Sequence, residues 1–409
     1  MSGRREFDLI VFGATGFTGR LVAEYLHLSG AAGARWAIAG RSLDKLARVR
    51  DALHLRPSVA LLKADANDAV ALKALVARTR CVITTVGPYQ LHGEPLATAC
   101  AEGGTDYVDL CGEPLWMARM IDKLTPLAEA SGARIVFSCG FDSIPFDLGV
   151  VYLQAEAQAR FGAPLAEVRG RVARVKGAVS GGTFASMMET IEAVRREPAL
   201  MKVMGNPFAL TPGFRGPRQP GGQEVDFDDW AGAWTAPFMM ATINTKNVHR
   251  THALRGHPWG AGFVYSEKRL TGAPGQGDQG RRKAFALARF AQLQNLALGL
   301  GPTRYLLRRF VLTQPGDGPS KAAREAGHYT LWFTGRSAHG EMLRAIVKGD
   351  RDPGYGSTCK LISEAALCLV QELGHEATPG GVWTPGAAMG LALVRRLQER
   401  AGLSFEIGA

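Results

Sequence analysis

A glycine motif near the start of the chain leaves few folds open to it: Gly13-Ala14-Thr15-Gly16-Phe17-Thr18-Gly19. The motif follows a compact apolar run, Phe7–Phe12, and opens a helical pattern that continues to Leu28. In a strand–turn–helix unit the first glycine permits the tight turn, the second lets the backbone approach a pyrophosphate, and the third lets helix and strand pack closely. The helix N-terminus adds free N–H groups and a positive dipole end. Residues 13–19 therefore predict a dinucleotide site.

The alternation of strand and helix continues to about residue 145. Short apolar runs, each preceded by a helical segment, predict further strands at Trp36–Ala39, Val59–Lys63, Cys81–Val86, Tyr107–Leu110 and Ile135–Ser138. This βαβ order predicts an α/β protein with a Rossmann-type, doubly wound parallel sheet. Glycine is abundant, with 50 residues in 409, but it has no Gly-X-Y period, which excludes a collagen.

The pattern changes after residue 145, and we expect a second domain over residues 146–355 with a mixed or antiparallel sheet. Its predicted strands are Val168–Val175, Phe238–Ile243, Phe263–Leu270, Tyr329–Phe333 and Met342–Val347. The stretch Gly205–Gly232 is rich in glycine and proline and predicts a long surface loop. Residues 356–409 are predicted to be mainly helical, over Ser357–Glu372 and Ala387–Arg400.

The end of the second strand distinguishes between the two nicotinamide cofactors. NAD enzymes usually carry Asp or Glu there to bind the ribose 2′-hydroxyl. This chain has Gly40-Arg41-Ser42 instead, with Lys45 one turn further on. Arg41 can pair with a 2′-phosphate, so the sequence favours NADPH, although Arg41 in a solvated helix start is the alternative. Asp65, after the third strand, is expected at the adenine edge or in a turn.

Two loops should reach the crevice where the strand order reverses, because ligands bind there outside the carboxyl ends of the strands. Val86, Gly87 and Pro88 are predicted to run along the nicotinamide ribose, and Tyr89 either faces the substrate or is buried for structural reasons. Asp142, in Gly140–Pro145 after the sixth strand, either orients the nicotinamide amide or caps the next helix.

Two later motifs also open helices. Ser180–Thr183 could hold a second anion, but a simple N-cap explains the motif as well. Asp352–Lys360 ends on Lys360, which either reaches a carbonyl or phosphate or stays solvated.

Several other chemistries are excluded by spacing. The short-chain dehydrogenases need Tyr-x-x-x-Lys, and none of the eight tyrosines has lysine four residues later. The chain has no HExxH motif and no Walker sequence, so we expect neither a metal nor ATP hydrolysis. The six cysteines form no Cys-x-x-Cys pair, and no uninterrupted apolar run reaches about 18 residues. We therefore expect a cytoplasmic protein, held at most peripherally on the inner face of the membrane.

The net charge of +11 is concentrated in residues 279–316, which contain no acidic residue. The basic residues of this segment are Arg281, Arg282, Lys283, Arg289, Arg304, Arg308 and Arg309. Leucines and phenylalanines lie between them, which fits a peripheral membrane contact; a core helix pair and a homodimer surface are the alternatives. Aromatic residues able to stack on bases are few here, so we expect no nucleic-acid partner.

Together these residues resemble the saccharopine dehydrogenase-like oxidoreductases, and most nearly the trans-acting enoyl reductases of actinobacterial polyketide lipid synthesis. The motifs that carry the resemblance are Phe12–Gly19, Ala39–Ser42, Val86–Tyr89, Gly140–Pro145, Ser180–Thr183, Gly316–Ser320, Asp352–Thr358 and Gly380–Pro385. They span nearly the whole chain.

The resemblance implies three parts: an NADP-binding Rossmann domain over 1–145, an α+β substrate or dimerisation domain over 146–355, and final helices over 356–409 that pack back on the first domain. It further implies reduction of a C=C bond in an enoyl thioester or lipid-like acyl substrate, with a carrier-bound or a lipid acyl chain as the alternatives. Tyr89, Ser143 or Lys360 would then stabilise the enolate oxygen or protonate Cα. A saccharopine-type imine or aldehyde reductase and a non-catalytic, lipid-associated NADPH scaffold are the alternatives.

Overall fold

The computed structural model describes residues 5–177, 180–299 and 318–408. Its first half alternates strand and helix. These elements are β1 Phe7–Phe12, α1 Phe17–Leu28, β2 Trp36–Gly40, α2 Leu43–Ala52, β3 Ala60–Lys63, α3 Ala69–Val76, β4 Thr79–Thr84, α4 Tyr89–Gly103, β5 Asp106–Val108, α5 Pro114–Ser131, β6 Arg134–Val136 and α6 Ile144–Phe161.

The remaining described elements mix both types less regularly. They are β7 Leu165–Lys176, α7 Gly181–Arg196, α8 Met201–Gly205, β8 Asp226–Asp228, β9 Ala233–Ala236, α9 Ala241–Leu254, β10 Val264–Leu270, α10 Gly277–Gly299, α11 Lys321–Glu325, β11 His328–Ser337, β12 Met342–Gly349, α12 Thr358–Gln371, β13 Gly381–Trp383, α13 Pro385–Ala388, α14 Gly390–Arg400 and β14 Leu403–Gly408.

The first sheet has seven parallel strands in the order β3-β2-β1-β4-β5-β6-β13. The strand order reverses between β1 and β4, and the carboxyl ends of all seven strands lie along one edge. This confirms the predicted doubly wound parallel sheet. The seventh strand, β13, corrects the prediction that residues 356–409 are mainly helical, since three residues of that stretch extend the sheet beside β6.

The second sheet has the order β14-β12-β11-β7-β10-β9-β8. It is mixed, because β7 and β10 run parallel while the other neighbours are antiparallel. The helices α6 and α9 pack against it. Its last strand, β14, lies after the second predicted helix and was not among the predicted elements of residues 356–409.

The predicted strand Phe238–Ile243 is wrong. Residues 238–240 form a turn, and α9 begins at Ala241. A short apolar run is compatible with a strand and with the start of a buried helix. Here the residues that follow it continue as a helix to Leu254. The strand of this region is β9, five residues earlier in the chain.

The helix α12 joins the two halves of the molecule. Nearly all of its side chains are buried, and it packs against α1 and β4 of the first sheet. The helix α14 instead contacts α6 and β14. Arg396 on α14 forms an ion pair with Glu364 on α12, and both side chains are buried.

Candidate active site

The glycine motif forms the turn between β1 and α1. Gly13 has φ of +87°, and a Cβ there would lie 2.6 Å from Cγ2 of Val86. A Cβ on Gly19 would collide with the carbonyl oxygen of Gly13 and lie 2.8 Å from the Cα of Ala14. Gly16 is the N-cap of α1, and no side chain caps the helix. The N–H groups of the first turn therefore remain available to an anion, as a pyrophosphate requires.

The residues after β2 fit a 2′-phosphate. Arg41 and Lys45 are both exposed beside the end of β2. The hydroxyl of Ser42 accepts a hydrogen bond from the N–H of Lys45 at 3.3 Å and thereby caps α2. Asp65 accepts from the N–H of Asn67 at 2.9 Å, which matches the turn that the sequence left as its alternative.

Tyr89 is buried at the start of α4. Its hydroxyl donates to the carbonyl of Thr84 at 3.2 Å and accepts from the N–H of Leu110 at 3.0 Å. The ring thus joins the loop after β4 to the loop after β5. Burial raises the pKa of Tyr89 well above its ordinary value. These contacts match the structural alternative for Tyr89; a catalytic role stays a prediction.

Glu113 is a residue of this edge that the sequence did not indicate. Its carboxylate accepts from the backbone N–H groups of Tyr89 and Gln90, both at 2.8 Å. It also accepts from the hydroxyl of Ser186 at 2.6 Å. A carboxylate at a helix N-terminus is stabilised by the dipole. Glu113 therefore holds α4 and α7 together, although it precedes α5 in the chain.

Asp109 is the second acid that sequence reasoning missed. It is fully buried and accepts from the N–H groups of Cys111 at 3.0 Å and Ser138 at 2.9 Å, and from the hydroxyl of Tyr107 at 3.0 Å. Burial raises the pKa of Asp109 to about 7, while these three donors lower it. The carboxylate fixes the loop after β5 against the loop after β6.

The helix α7 lies over the carboxyl edge of the first sheet. Thr183 donates to Asp142 at 3.4 Å, Ser186 reaches Glu113, and Gln90 donates to Thr190 at 3.1 Å. Two loops of the sheet and the start of α4 are therefore tied to one helix. Ser180 caps α7 through the N–H of Thr183 at 3.1 Å, which matches the simple N-cap alternative.

Asp142 does not cap α6, because the N-cap of α6 is Ser143 and no side chain caps the helix. The carboxylate of Asp142 is half-buried beneath α7 instead. Burial raises its pKa to about 6, and the bond from Thr183 lowers it. Asp142 thus stands at the edge where the nicotinamide end of a dinucleotide is expected.

The motif Asp352–Thr358 reaches the same edge. The ring of Tyr355 packs edge-on against Phe17, with centroids 4.9 Å apart, and its hydroxyl accepts from the N–H of Gly181 at 3.0 Å. Thr358 accepts from the N–H of Phe141 at 3.1 Å. Asp352–Thr358 therefore contacts three other motifs that are distant in the chain: Gly13–Gly19, Gly140–Pro145 and Ser180–Thr183.

The three predicted catalytic side chains have separate sets of partners. Ser143 is buried, donates to Oδ1 of Asn244 at 3.2 Å, and accepts from Nδ2 of Asn247 at 3.0 Å. Lys360 donates to Asp350 at 3.1 Å and to the carbonyl of Ala401 at 3.1 Å. Those two partners lie at the ends of β12 and α14, on the second-sheet side of the molecule.

A buried polar network lies behind Ser143 and was not predicted. Asn244 donates to Glu267 at 2.7 Å, and the hydroxyl of Tyr265 donates to the other oxygen of Glu267 at 2.9 Å. Desolvation raises the pKa of Glu267 to about 8, and the charge of Asp142 adds to this rise. The predicted strand ended at Ile243 and no element was predicted over residues 244–254, so the sequence did not indicate that Asn244 would be buried in a helix.

The basic segment 279–316 lies only partly within the described residues. Residues 279–299 belong to α10, and residues 300–316 lie outside the description. Phe285, Phe290, Leu293 and Leu296 are exposed, which is inconsistent with a buried core helix over this part. In the described ranges, no helix is long and apolar enough to cross a membrane. No group of three or more His, Cys, Asp or Glu side chains within those ranges could hold a metal ion.

Comparison with known families bears directly on the nucleotide site. The model for the saccharopine dehydrogenase NADP binding domain matches residues 9–136 of this chain. The match spans the glycine motif, Arg41 and the loop after β4, and it confirms the predicted NADP cofactor.

Relatives align with almost the whole chain. A Mycobacterium tuberculosis protein provisionally named a trans-acting enoyl reductase is 40% identical, over 98% of this chain and 97% of its own length. A trans-acting enoyl reductase of Mycobacterium bovis is 37% identical, over 96% of each chain.

Among solved structures, apo saccharopine dehydrogenase (L-Glu forming) from Saccharomyces cerevisiae superposes with a TM-score of 0.55. The superposition covers 98% of this chain and all of that one, at 12% identity. An identity this low shows a shared fold and nothing about substrate.

Proposed function

This chain belongs to the saccharopine dehydrogenase-like family of NADP-dependent oxidoreductases, in the branch of the trans-acting enoyl reductases, and from that premise we propose that it reduces the C=C bond of an enoyl thioester. The acyl chain would be presented by a carrier or be lipid-like. The reaction adds a hydride to Cβ and a proton to Cα, so one NADPH and one proton are consumed for each double bond.

The residues present fit the cofactor. The turn of residues 13–19 has no room for a Cβ at Gly19, and the first turn of α1 has no side-chain cap. Arg41 and Lys45 supply positive charge for a 2′-phosphate. The loop of Val86, Gly87 and Pro88 lies beside Gly13 at the crevice. When bound, NADPH supplies the hydride.

The composition of α7, which lies over this crevice, is the observation that supports an acyl substrate. Residues 181–194 include Phe184, Met187, Met188 and Ile191, together with hydroxyl side chains, and they contain no Lys, Arg or His. An amino-dicarboxylate of the saccharopine type would need cations to pair with its carboxylates. The charged residues in this stretch, Glu189 and Glu192, are acidic and would repel such carboxylates, while its apolar side chains can contact an acyl chain.

The chain's own groups have three tasks in this proposal. Asp142 would hold the nicotinamide amide, because its carboxylate is half-buried at the same edge. Tyr89 and Glu113 hold the loops after β4 and β5 in place. Ser143 follows Asp142 on the loop after β6, and we assign proton delivery to Cα to it first; its hydroxyl would have to exchange its bond to Asn244 for one to the substrate.

The test is NADPH oxidation with an enoyl pantetheine thioester, with its saturated analogue, and with an amino acid plus an aldehyde. We expect oxidation with the enoyl thioester alone. Oxidation only with the amino acid and aldehyde would instead establish the imine reductase. Tight NADPH binding without turnover on any of the three would establish the scaffold.

Single substitutions then separate the predicted donors. We expect Ser143→Ala to lower kcat at least tenfold if this hydroxyl delivers the proton. Lys360→Ala removes a partly exposed ion pair with Asp350 and should leave kcat unchanged.

Tyr89→Phe should raise the Kd of NADPH and lower stability, since it leaves the N–H of Leu110 without an acceptor. An unchanged kcat in Ser143→Ala would remove Ser143 from the reaction.

A further inference from the structure

The outward face of α10 carries an unusual number of exposed apolar side chains. Those at least one-third exposed are Phe285, Leu287, Phe290, Leu293 and Leu296. Phe290, Leu293 and Leu296 are 66%, 65% and 62% exposed, and their spacing of three residues places them on one side of the helix. A contiguous exposed apolar patch on a folded protein usually marks a contact surface.

The orientation of α10 is fixed by its opposite side. Ala284 and Ala288 are buried, and the helix packs against β9. The guanidinium of Arg281 lies 5.6 Å from the ring centroid of Trp234 on that strand. The apolar face therefore points away from the second sheet.

The same face is positively charged. Arg282, Lys283 and Arg289 are exposed on it, and residues 279–299 contain no acidic residue. Arg282 and Lys283 lie in the first turns of α10, Arg289 lies at its middle, and the most exposed apolar side chains lie in its second half. A helix with this division can place its cationic part among headgroups and its apolar part at the acyl boundary.

We propose that the outward face of α10 docks on an anionic lipid bilayer. Charge complementarity selects this occupant over a second copy of the chain. A two-fold contact would bring together two faces that carry Arg282, Lys283 and Arg289 with no acidic residue in 279–299 to pair with them, and like charges placed together are repelled. A neutral bilayer would leave the cations without partners.

The position of α10 is compatible with the proposed reaction, but docking on a bilayer does not depend on that reaction. The helix contacts α7, which lies over the carboxyl edge of the first sheet. A bilayer docked on α10 would bring lipid-soluble acyl chains close to that edge. Binding to vesicles needs neither substrate nor NADPH, so a failure of the docking surface and a failure of the enoyl reductase proposal can be told apart.

The test is co-sedimentation of the full chain with vesicles of phosphatidylcholine alone and of phosphatidylcholine with phosphatidylglycerol. We expect binding to the anionic vesicles at least about tenfold tighter than to the neutral ones, and weaker binding as salt is raised. The variant F290S/L293S should lose binding about tenfold or more, and R282E/R289E should abolish the preference for anionic lipid.

Matched controls are available on the first domain. Leu28 and Val70 are 75% and 79% exposed, so L28S/V70S removes equally exposed apolar side chains elsewhere and should leave vesicle binding unchanged. All variants change exposed positions, and unchanged melting temperature and NADPH affinity would confirm that they fold.

Three results would overturn the proposal. The first is equal binding to neutral and anionic vesicles, or no binding to either. The second is a dimer in sedimentation velocity that F290S/L293S dissociates, which would assign the face to a second copy. The third is capture of an acidic carrier protein by this face with no vesicle binding.

Discussion

Arg41 is the residue on which cofactor choice depends most directly. It is exposed at the end of β2, and no Asp or Glu stands at the position where NAD enzymes bind the ribose 2′-hydroxyl. We predict that Arg41→Glu raises the Kd of NADPH about tenfold or more and leaves the Kd of NADH almost unchanged. Fluorescence titration with both cofactors measures this ratio.

The matched control for that prediction lies on the same helix. Arg48 is also exposed on α2, but it is farther from the end of β2 along the helix. Arg48→Glu changes the net charge equally and should shift neither Kd. Equal losses of NADPH and NADH affinity in Arg41→Glu would mean that Arg41 stabilises the loop after β2 and does not bind the 2′-phosphate.

The buried carboxyl group of Glu267 should make folding stability depend on pH. Burial raises the pKa of Glu267 to about 8, from an ordinary value of 4.5. The folded state therefore holds a proton that the unfolded chain releases at lower pH, and folding stability falls as the pH rises from about 4.5 to about 8. Glu267→Gln keeps the shape and cannot ionise, so its melting temperature should decline less than that of the natural protein between pH 5 and pH 8.

Other buried acids add to that decline in the natural protein. Burial also raises the pKa of Asp109 to about 7 and that of Asp142 to about 6. The ionisation of each of these acids also lowers folding stability as the pH rises. The contribution of Glu267 is therefore the difference between the two melting curves. Parallel curves would show that Glu267 is ionised in the folded protein and paired with Arg171, the nearby cation.

At the scale of elements, α7 is held over the crevice by few polar contacts. Thr183 and Ser186 bond to Asp142 and Glu113, which follow different strands. Each hydrogen bond contributes about 0.5–1.5 kcal/mol. We predict that T183A/S186A raises the KM for the acyl substrate several-fold while the Kd of NADPH stays unchanged, because α1 and β2 hold the phosphates.

Steady-state kinetics and a separate NADPH titration check this division. Thr125→Ala is a suitable control, since the hydroxyl of Thr125 donates to the carbonyl of Ile121 within the same helix, α5. If T183A/S186A weakens NADPH and the acyl substrate equally, α7 is part of the nucleotide site and not a cover for the substrate.

The elements also show how far sequence reasoning reaches. Gly19 and Arg41 were predicted because the βα turn is a local structure whose chemistry is contained in a few consecutive residues. Glu113 and Asp109 were missed because each acts on loops that follow other strands, and no local pattern reports that contact. β13 was missed because three residues give no periodicity, and it forms only where β6 offers an edge.

On the scale of the whole molecule, the end of the chain returns to both sheets. The helix α12 packs against α1 and β4, β13 extends the first sheet, and β14 pairs with β12 in the second. One large apolar cluster includes Val11 and Ile83 of the first sheet and Leu331 and Phe333 of the second. The crevice is thus formed by parts of the chain that are far apart in sequence and share one core.

In the proposed reaction this crevice directs a hydride to the Cβ of an enoyl thioester. The most direct test is a single-turnover reaction with NADPH that carries deuterium at both C4 positions of the nicotinamide, followed by mass spectrometry and NMR of the product. We predict one deuterium at Cβ of a saturated acyl thioester, and a solvent-derived proton at Cα. Deuterium on a carbon that bears an amine or an alcohol, with the C=C bond intact, would contradict the claim.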